Sequence, residues 1–448
     1  MFVKEGHPFE KPFGMEFYST DSIGMGGKLK TRYENFLVEE IASDRTVIAF
    51  REWQDATIRE SVVAGKKSRF VTFTVQKMGI STMDLSTILA SSLKLPRNLV
   101  TYAGLKDKRA ITVQQMSVPS HAVTNLLKLE LSRINLRDFS YTRHPIQIGD
   151  LWGNKFTILL RDLEVDSDTA LKSAETVRET PLLNYFGVQR FGFNRPNTHL
   201  AGKFLIKREF ENAIRVMLCT ESAFESEELR EVRLKLTEDL SPTEKMIETF
   251  PKDLSYERKI LHELIKYPNE FERALQRISP RVLTLMVHAY QSFLFNRLLS
   301  QRAAVGLSII QPQPGDFLIE LDTAHSGRDS WLYVTEASLE ERIEQVERGE
   351  YGLALPVPGY ATRLPPASQT DALKSLLIEE GITLRDFRNP KMKALDSPGG
   401  LHLAAIIISD LDASYSEEGL RVAFSLRKGS YATIVLRELM KNHPINRV

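Results

Sequence analysis

The sequence predicts an α+β fold in which a largely antiparallel mixed sheet is built from two separate parts of the chain. Strand-like and helix-like runs alternate in the first half, helical patterns dominate residues 203–300, and strand character returns at LHLAAIIIS (401–409). Strands near both ends can share one sheet if the segment between them is inserted. We therefore expect a discontinuous domain of residues 1–199 and 386–448, with a mostly helical α+β domain, residues 200–385, inserted into it.

The elements of the first part follow from their hydrophobic patterns. FVTFTVQKM (70–78) alternates apolar and polar residues, as a half-buried strand does. Ser81 or Thr82 can cap the helix that follows, whose apolar residues recur at helical spacing up to Leu93, before Pro96. Further elements are predicted as strands at 98–103, 111–118, 136–148 and 155–163, and as helices at 121–131 and about 166–178.

A long helix and a return to strands are predicted for the rest of the chain. The run VLTLMVHAYQSFLFNRLLSQR (282–302) is typical of a strong amphipathic helix. The proline-rich run 353–368 marks a structured loop or a boundary. LHLAAIIIS is far shorter than the roughly 20 residues that span a membrane, and it predicts a buried strand. A strand at LRVAFSLRKG (420–429) and a helix at ATIVLRELMKNH (432–443) complete the chain. The predicted buried face of the long helix comprises Leu283, Val287, Tyr290, Leu294 and Leu298.

Composition limits the classes of function. The 448 residues are 42% hydrophobic and 26% charged, which is ordinary for a globular protein. The net charge is only +1, so a nucleic-acid partner would have to be met by a local basic patch. The single cysteine, Cys219, excludes intramolecular disulfides and cysteine-rich zinc sites and fits a reducing compartment. The first residues lack the apolar core of a signal peptide, so we expect a cytoplasmic protein.

The loop within TYAGLKDKRAITVQQ (101–115) places one acidic residue among several basic ones. Asp107 lies between Lys106 and Lys108, and Arg109 follows. A plain hairpin with a solvated basic tip would explain this stretch. The alternative is a catalytic carboxylate, because neighbouring cations keep such a group ionised and can also contact phosphates. An ionised aspartate against a bound nucleotide can attack an electrophilic carbon or take a proton.

The segment GLKDKRAITVQ (104–114) closely resembles the signature of the TruD family of pseudouridine synthases, with every fixed position matched. Within it Thr112 and Gln114 occupy alternating strand positions and share a face, from which they are expected to brace the loop by hydrogen bonds. Further stretches resemble the same family in the same order along the chain. They are GKLKTRYENFLVEEI (27–41), NYFGVQRFG (184–192), HAYQSFLFN (288–296), LPVPGY (355–360) and KGSYATIVLRELMK (428–441).

The resemblance implies a fold, an activity and a partner. It implies the pseudouridine synthase fold with the family's own inserted domain, and isomerisation of uridine to pseudouridine in RNA, best known at position 13 of tRNA. The N1–C1′ bond breaks, the uracil turns, and C5 bonds to C1′. We expect no cofactor and no metal, since the sequence has no nucleotide-binding glycine loop and no clustered metal ligands. The expected partner is tRNA, with no membrane association, and a monomer is favoured.

The resemblance also assigns catalytic roles. It makes Asp107 the essential carboxylate, and both of its candidate roles remain open: attack on C1′ or removal of a proton from C2′. Either role requires the ionised form in a site that partly excludes water, so an opposite charge must offset the effect of desolvation. Lys30, six residues before Phe36, matches the family lysine that pairs with the catalytic aspartate. Without the resemblance it would be assigned to the solvated surface.

Four residues match substrate-binding positions of the family. Phe186 matches the phenylalanine that packs on the target uracil, and Phe36 and Tyr431 match two further aromatic contacts. Extruded bases commonly meet aromatic faces in this way, although each ring taken alone is more typical of an ordinary core aromatic. Bacterial members carry Phe where Tyr431 stands, so stacking is retained and a hydroxyl is added. Asn184 matches an asparagine whose amide can donate and accept at a uracil edge or ribose.

Basic residues are the candidates for phosphate contacts. They are Lys106, Lys108, Arg109 and Arg190, and the stretch GKKSR (65–69) could extend the patch. Basic residues at loop tips are often only solvated, and this alternative stays open. Three other functions compete with the isomerase: a non-catalytic RNA-binding protein of the same fold, a pseudouridine synthase acting on another RNA, and a glycoside hydrolase. The last needs two carboxylates across a sugar site, and the acidic pairs here, Glu39–Glu40 and Glu340–Glu341, lie in segments that are typical of strand or helix surfaces.

Overall fold

The structure, a computed structural model, describes residues 4–53, 62–192, 194–222, 224–321, 331–365 and 367–447. Within these ranges no helix is long and apolar enough to cross a membrane. The strands are β1 (Lys4–Glu5), β2 (Phe17–Tyr18), β3 (Gly26–Lys28), β4 (Phe36–Ile41), β5 (Phe70–Met78), β6 (Thr101–Tyr102), β7 (Ile111–Pro119), β8 (Ile134–Thr142), β9 (Gly153–Leu163), β10 (Leu182–Leu183), β11 (Phe317–Glu320), β12 (Trp331–Tyr333), β13 (Tyr351–Val357), β14 (Gly400–Leu403), β15 (Ala405–Ile406), β16 (Asp412–Ser416) and β17 (Gly419–Arg427). The helices are α1 (Thr82–Leu93), α2 (Val123–Leu126), α3 (Ser167–Glu179), α4 (Thr198–Lys207), α5 (Phe210–Cys219), α6 (Glu227–Glu238), α7 (Glu244–Thr249), α8 (Ser255–Lys266), α9 (Phe271–Leu275), α10 (Pro280–Ala304), α11 (Leu339–Glu347), α12 (Ser368–Glu379) and α13 (Ala432–Met440).

A mixed sheet forms the centre of the molecule. Its strands follow the order β16-β17-β9-β4-β7-β5-β8, with β3 added to β9 and β6 added to β7. The pair β4–β7 is parallel and the other pairs of this sheet in the described residues are antiparallel. Because β17 pairs with β9, the two ends of the chain share one sheet. The predicted α+β class with a largely antiparallel mixed sheet is therefore confirmed.

A second sheet and a helical cluster lie between these two parts of the sequence. The second sheet has the order β12-β11-β13-β14, so its last strand comes from the C-terminal part of the chain. Helices α4 to α10 and α12 surround a hydrophobic core of their own. The division into residues 1–199, 200–385 and 386–448 stays a prediction.

Helix α10 is shared by two hydrophobic cores. The face predicted from the sequence, Leu283 to Leu298, packs into the helical core. The opposite face packs into the core beneath the mixed sheet through Phe295 and Leu299, which the amphipathic pattern did not predict. Helix α4 packs closely along it at Gly202, where a Cβ would lie 2.0 Å from the carbonyl oxygen of Met286. A side chain at position 202 would therefore force the two helices apart.

Three predicted elements differ from the structure. The expected helix at 121–131 is limited to α2, preceded by a 3-10 turn, because the chain must turn back into β8. The run 401–409 forms β14 and β15 in two different sheets, and Ile407 between buried neighbours is 69% exposed. The proline-rich run 353–368 begins inside β13, where Pro356 pairs with Leu401.

A buried ionic cluster joins the two ends of the chain. Glu10 accepts hydrogen bonds from Arg437 Nε at 2.8 Å and from Arg447 Nη1 at 2.7 Å. Burial opposes ionisation of Glu10, but the two arginines lower its pKa below the usual value. Glu438 is also buried and accepts from Arg437 at 3.2 Å. Since Arg437 lies on α13, the cluster fixes that helix and with it Tyr431 at its start.

We predict that Arg437→Met lowers the free energy of unfolding by about 3–5 kcal/mol, because it leaves buried carboxylates without their cation. Chemical unfolding monitored by circular dichroism measures the change. Arg421→Met is the matched control, since Arg421 is exposed on β17, and we expect a change within about 0.5 kcal/mol. Equal stability of the two variants would contradict the role of the cluster.

Candidate active site

The loop between β6 and β7 brings Asp107 to Lys30. Asp107 Oδ2 lies 3.9 Å from Lys30 Nζ, and the exposed fractions of the two side chains are 46% and 5%. The carboxylate is thus open to a ligand on one side and faces a buried ammonium on the other. The two residues that the sequence predicted as catalytic partners are neighbours, and their catalytic roles stay a prediction.

Lys30 is held by an unusual backbone conformation and by an aromatic ring. Its φ angle is +54°, in the left-handed region, at the turn between β3 and β4. Its ammonium lies 4.4 Å from the centroid of the buried Phe36 ring, a cation–π contact. Burial lowers the pKa of Lys30, Asp107 opposes that shift, and Arg109 adds to it. Phe36 therefore supports the lysine, and a contact between Phe36 and substrate stays a prediction.

The loop is wider and better anchored than a simple hairpin. The short β6 pairs with Met116 and Ser117, near the far end of β7, so the intervening residues fold back along the sheet. Gln114 Nε2 donates to the carbonyl of Gly104 at 3.2 Å, as the expected brace. Thr82 at the start of α1 donates to Gln114 at 2.8 Å and accepts from the backbone of Lys106. The bracing role expected of Thr112 is not found, since its buried hydroxyl has no partner among the described residues.

Lys106 lies in the interior rather than on a phosphate-binding surface. Its Nζ is 2.6 Å from Glu40 Oε2, and each of these side chains is 2% exposed. The other carboxylate oxygen of Glu40 accepts from the backbone N–H of Gln115 at 2.9 Å. This corrects two expectations, since Glu40 was assigned to a strand surface and Lys106 to phosphate. A buried ion pair in this position ties the loop to β4 and β7.

Lys77 is a further buried lysine at the site, and its role was missed from the sequence. Its Nζ donates to the carbonyl of Ile80 at 2.6 Å and to the carbonyl of Asp107 at 3.5 Å. Burial lowers its pKa to about 8, Lys106 contributes in the same direction, and the carboxylates of Asp107 and Asp84 oppose the shift. Lys77 follows Val71, Phe73 and Val75 at every second position of β5, so the alternation placed it on the buried side of the strand. This signal was not used, because a lysine is rarely fully buried.

An aromatic cluster forms the second half of the candidate site. The Phe186 ring stacks on His402 at a centroid distance of 4.5 Å and meets Phe295 edge-on at 5.3 Å. Tyr431 lies 6.1 Å from the same ring and is 41% exposed. Burial lowers the pKa of His402 to about 4, so its imidazole is neutral at physiological pH. The structure brings Phe186 and Tyr431 together, their contacts with substrate stay a prediction, and the sequence gave no sign of His402.

Two asparagines fix the backbone of this cluster. Asn184 donates its amide N–H to the carbonyl of Leu403 at 3.0 Å, and its buried Oδ1 has no partner among the described residues. Asn296 on α10 accepts from the N–H of Phe186 at 2.8 Å and donates to its carbonyl at 2.9 Å. The family-like stretch 288–296 contained Asn296, but only the fold reveals that it holds Phe186.

Arg190 lies beside the aromatic cluster, and the other basic candidates are at the surface. Arg190 Nε donates to Ser292 at 3.2 Å, and its guanidinium carbon lies 6.0 Å from the Phe186 centroid. Burial lowers its pKa, and within the described residues it forms no ion pair with a carboxylate. Lys108 and Arg109 are exposed, as are the basic residues of 65–69. Their side chains are accessible to a phosphate, and the phosphate contacts stay a prediction.

A bridge of backbone and side-chain contacts joins the two halves of the site. Gly149 donates to the carbonyl of Ala103, at the base of the Asp107 loop, at 2.8 Å. Lys428 Nζ donates to the carbonyl of Gly149 at 3.3 Å. The residues after Lys428 lead directly to Tyr431 at the start of α13. The carboxylate and the aromatic cluster therefore belong to one connected region. Across the described ranges, no three His, Cys, Asp or Glu side chains are grouped as metal ligands.

Comparison with known proteins agrees with this architecture. The family model of "tRNA pseudouridine synthase D (TruD)" matches residues 12–439. Proteins named "Probable tRNA pseudouridine synthase D" are similar: that of Methanosarcina mazei is 29% identical, covering 97% of this chain and 98% of the relative, and that of Thermococcus sibiricus is 33% identical, covering 95% and 97%. A crystal structure of a TruD protein from M. mazei superposes with a TM-score of 0.80 at 27% identity, covering 99% of this chain and all of the other.

These matches first define the class of protein, an isomerase of the pseudouridine synthase type. More particularly, the chain belongs to the tRNA pseudouridine synthase D (TruD) family.

We predict that Lys77→Met lowers the turnover number, because the carbonyl of Asp107 loses its buried donor and the loop is less well positioned. The same change alters the pH dependence of stability. In the wild type, Lys77 has a pKa of about 8 when folded and about 10.5 when unfolded, so its protonated form penalises folding below pH 8. Between pH 8 and 10.5 the unfolded state binds more protons, and the wild type gains about 3 kcal/mol relative to the variant.

Chemical unfolding of both proteins at pH 7 and at pH 10.5 measures this difference. The comparison cancels the titration of the other lysines and tyrosines, which both proteins share. If the two proteins differ in stability by the same amount at both pH values, Lys77 is not a buried lysine with a lowered pKa.

Proposed function

We propose that this protein isomerises uridine to pseudouridine in tRNA, at position 13, through the carboxylate of Asp107. Membership of the TruD family supports the reaction, and the observation that carries the assignment of Asp107 is its position 3.9 Å from the buried ammonium of Lys30. A solvated loop tip would not need an interior cation, because water already stabilises an exposed carboxylate.

Asp107 supplies a negatively charged carboxylate, and Lys30 is proposed to keep it ionised when a bound nucleoside excludes water from the site. Asp107 is half-exposed in the free protein, so a bound nucleoside would complete its desolvation. Desolvation favours the protonated acid, and the adjacent ammonium opposes that effect. The ionised carboxylate then attacks C1′ or removes the proton from C2′, and both routes require the same charge state. The N1–C1′ bond breaks, the base turns, and the C5–C1′ bond forms. The proton of C5 is then lost and N1 gains one, so the isomerisation has no net change in atoms.

The aromatic cluster is the proposed receptor for the extruded base. His402 covers one face of Phe186, which is only 9% exposed, whereas the neighbouring ring of Tyr431 is 41% exposed. The uracil would therefore stack against Tyr431 and the part of Phe186 that is accessible beside it. Asn184 carries a buried carbonyl oxygen that still lacks a donor, and an N–H of the uracil could supply one after a small movement. Arg190, without a carboxylate partner in the described chain, is the proposed contact for a phosphate beside the target.

The remaining expectations form part of the same proposal. The reaction moves bonds within one nucleoside and changes no oxidation state, so we propose that no cofactor takes part. We propose that the protein acts on tRNA as a monomer in the cytoplasm. The mixed sheet with Asp107 and the helical cluster with α10 would form the two walls of the RNA-binding cleft.

We predict that Asp107→Asn abolishes turnover while affinity for tRNA stays within about threefold, since the amide keeps the shape of the carboxylate and removes its charge. Release of tritium from tRNA carrying [5-³H]uridine measures turnover, and fluorescence anisotropy measures affinity. Asp253→Asn, at an exposed aspartate in the helical cluster, is the matched control and should retain full activity. Turnover at the wild-type rate in Asp107→Asn would contradict the role of Asp107 as the catalytic carboxylate.

We predict that Lys30→Met lowers the rate and moves the onset of activity to higher pH by about one unit, because the carboxylate loses its adjacent cation. Single-turnover rates from pH 5 to pH 9 give the profile. Lys28→Met is the control, since Lys28 is an exposed lysine two positions earlier that pairs with Asp162. An unchanged profile in Lys30→Met would remove Lys30 from the catalytic pair.

A further inference from the structure

A groove of about 700 Å³ opens between the mixed-sheet part of the molecule and the start of α10. We call it the flanking groove and define it by Met83 on α1, Arg97, Tyr102 on β6, Ile148 and Arg281 on α10. Its walls thus come from two parts of the chain that are far apart in sequence. The Lys30–Asp107 pair and the aromatic cluster contribute none of its lining residues, so it is separate from the site described above.

The chemistry of the flanking groove is cationic and apolar. Arg97 and Arg281 are exposed, and neither forms an ion pair within the described parts of the chain. None of the described residues that line the groove is acidic. Its apolar surface is unusually open, since Met83 is 40% exposed and Ile148 is 69% exposed. Guanidinium groups beside aromatic and apolar surface are the combination that binds the phosphate and base of a single-stranded nucleotide.

The elements that line the flanking groove also reach both halves of the candidate active site. Along α10, Arg281, His288 and Ser292 follow one another at spacings of seven and four residues, which places them on one face. Ser292 holds Arg190, and the rise of about 1.5 Å per residue puts it about 16 Å from Arg281 along the helix. On the other wall, Tyr102 and Ile148 immediately precede Ala103 and Gly149, which are hydrogen-bonded to each other beside the Asp107 loop.

We infer that the flanking groove binds a nucleotide of the substrate RNA next to the target uridine, with its phosphate on Arg97 and Arg281 and its base against Tyr102. The inference rests on the proposed function and extends it by a second nucleotide subsite. The exposed arginines, the absence of acidic lining residues and the elements shared with the active site favour RNA over a protein partner. The volume lies within the usual range for pockets that hold a small organic ligand and is sufficient for one nucleotide.

The phosphate contact is tested with the double variant Arg97→Gln/Arg281→Gln. The probe is an unmodified tRNA transcript with uridine at position 13, and affinity is measured by fluorescence anisotropy at several salt concentrations. Loss of two phosphate contacts should weaken binding and reduce the slope of log Kd against log salt by about 1.5. The single-turnover rate at saturating enzyme should stay within about twofold, because neither arginine pairs with Asp107 among the described residues. Unchanged affinity and slope would overturn the inference.

Arg385→Gln is the matched control, since Arg385 is exposed in the helical part and forms no ion pair among the described residues. It should leave both the affinity and the salt slope unchanged. An equal effect of Arg385→Gln would mean that the change in binding reflects net charge and would overturn the groove as a site.

The base contact is tested by combining a protein variant with an altered RNA. Transcripts carrying a single abasic nucleotide at each position near the target are bound to wild type, Tyr102→Ala and Ile148→Ser. At one flanking position the missing base should weaken wild-type binding about fivefold or more, and the same RNA should cause no further loss in Tyr102→Ala. Ile148 is largely exposed, so Ile148→Ser tests the same coupling with little effect on folding. Absence of any coupled position would overturn the inference.

Failure of this inference can be distinguished from failure of the proposed function. Binding measurements do not require turnover, so a coupled flanking base in a protein that forms no pseudouridine would count against the isomerase activity alone. Normal conversion of uridine with no effect of the groove variants would count against the flanking groove alone.

Discussion

The placement of helix α10 between two hydrophobic cores is the constraint on which the rest of the structure depends. One side of the helix is buried in the helical cluster and the other beneath the mixed sheet, so neither core can shift without the other. Its polar residues then act at the junction. Asn296 holds the backbone of Phe186, Ser292 holds Arg190, and Gln291 donates to the carbonyl of Pro358 at 2.5 Å. A single element therefore sets the distance between the inserted helices and the aromatic half of the site.

The carboxylate half of the site is held by interior cations instead. Three buried lysines lie in the Asp107 loop or against it, and each has a different partner. They are Lys106 within the loop and Lys30 and Lys77 beside it. Lys106 neutralises Glu40, Lys77 binds backbone carbonyls, and Lys30 faces Asp107 itself. Buried ammonium groups are costly unless they are paired or hydrogen-bonded, so such an arrangement tolerates few alternative loop conformations. The result is a half-exposed carboxylate whose surroundings are already organised for its charged form.

The sequence predicted the parts of this protein whose signal is local or matches a known motif. The pattern of β5, the cap at Ser81 and the buried face Leu283 to Leu298 are properties of neighbouring residues, and the structure contains them. The Lys30–Asp107 contact joins residues far apart in sequence, and only the resemblance to a family indicated it. Lys77, Glu40 and His402 were missed or misassigned because their environments depend on tertiary burial. The alternation of β5 placed Lys77 on the buried side of the strand, but no spacing or periodicity shows that its ammonium binds the backbone carbonyls of Ile80 and Asp107.

The aromatic cluster and the Asp107 loop are held in place by different interactions, and this difference has consequences for the chemistry. The backbone of Phe186 is held by hydrogen bonds to Asn296 that carry no net charge, and the helix that begins after Tyr431 is held by a buried ionic cluster. Because buried ion pairs are screened little, the aromatic half should respond little to salt. The Asp107 half is held by ammonium groups, one of which has a pKa of about 8, so its geometry is linked to protonation. The charged carboxylate and the apolar contacts for the base therefore lie in different parts of the site. A single pocket would have to be both polar enough for the charge and apolar enough for the base. The base can then be received by apolar surface while the carboxylate stays charged.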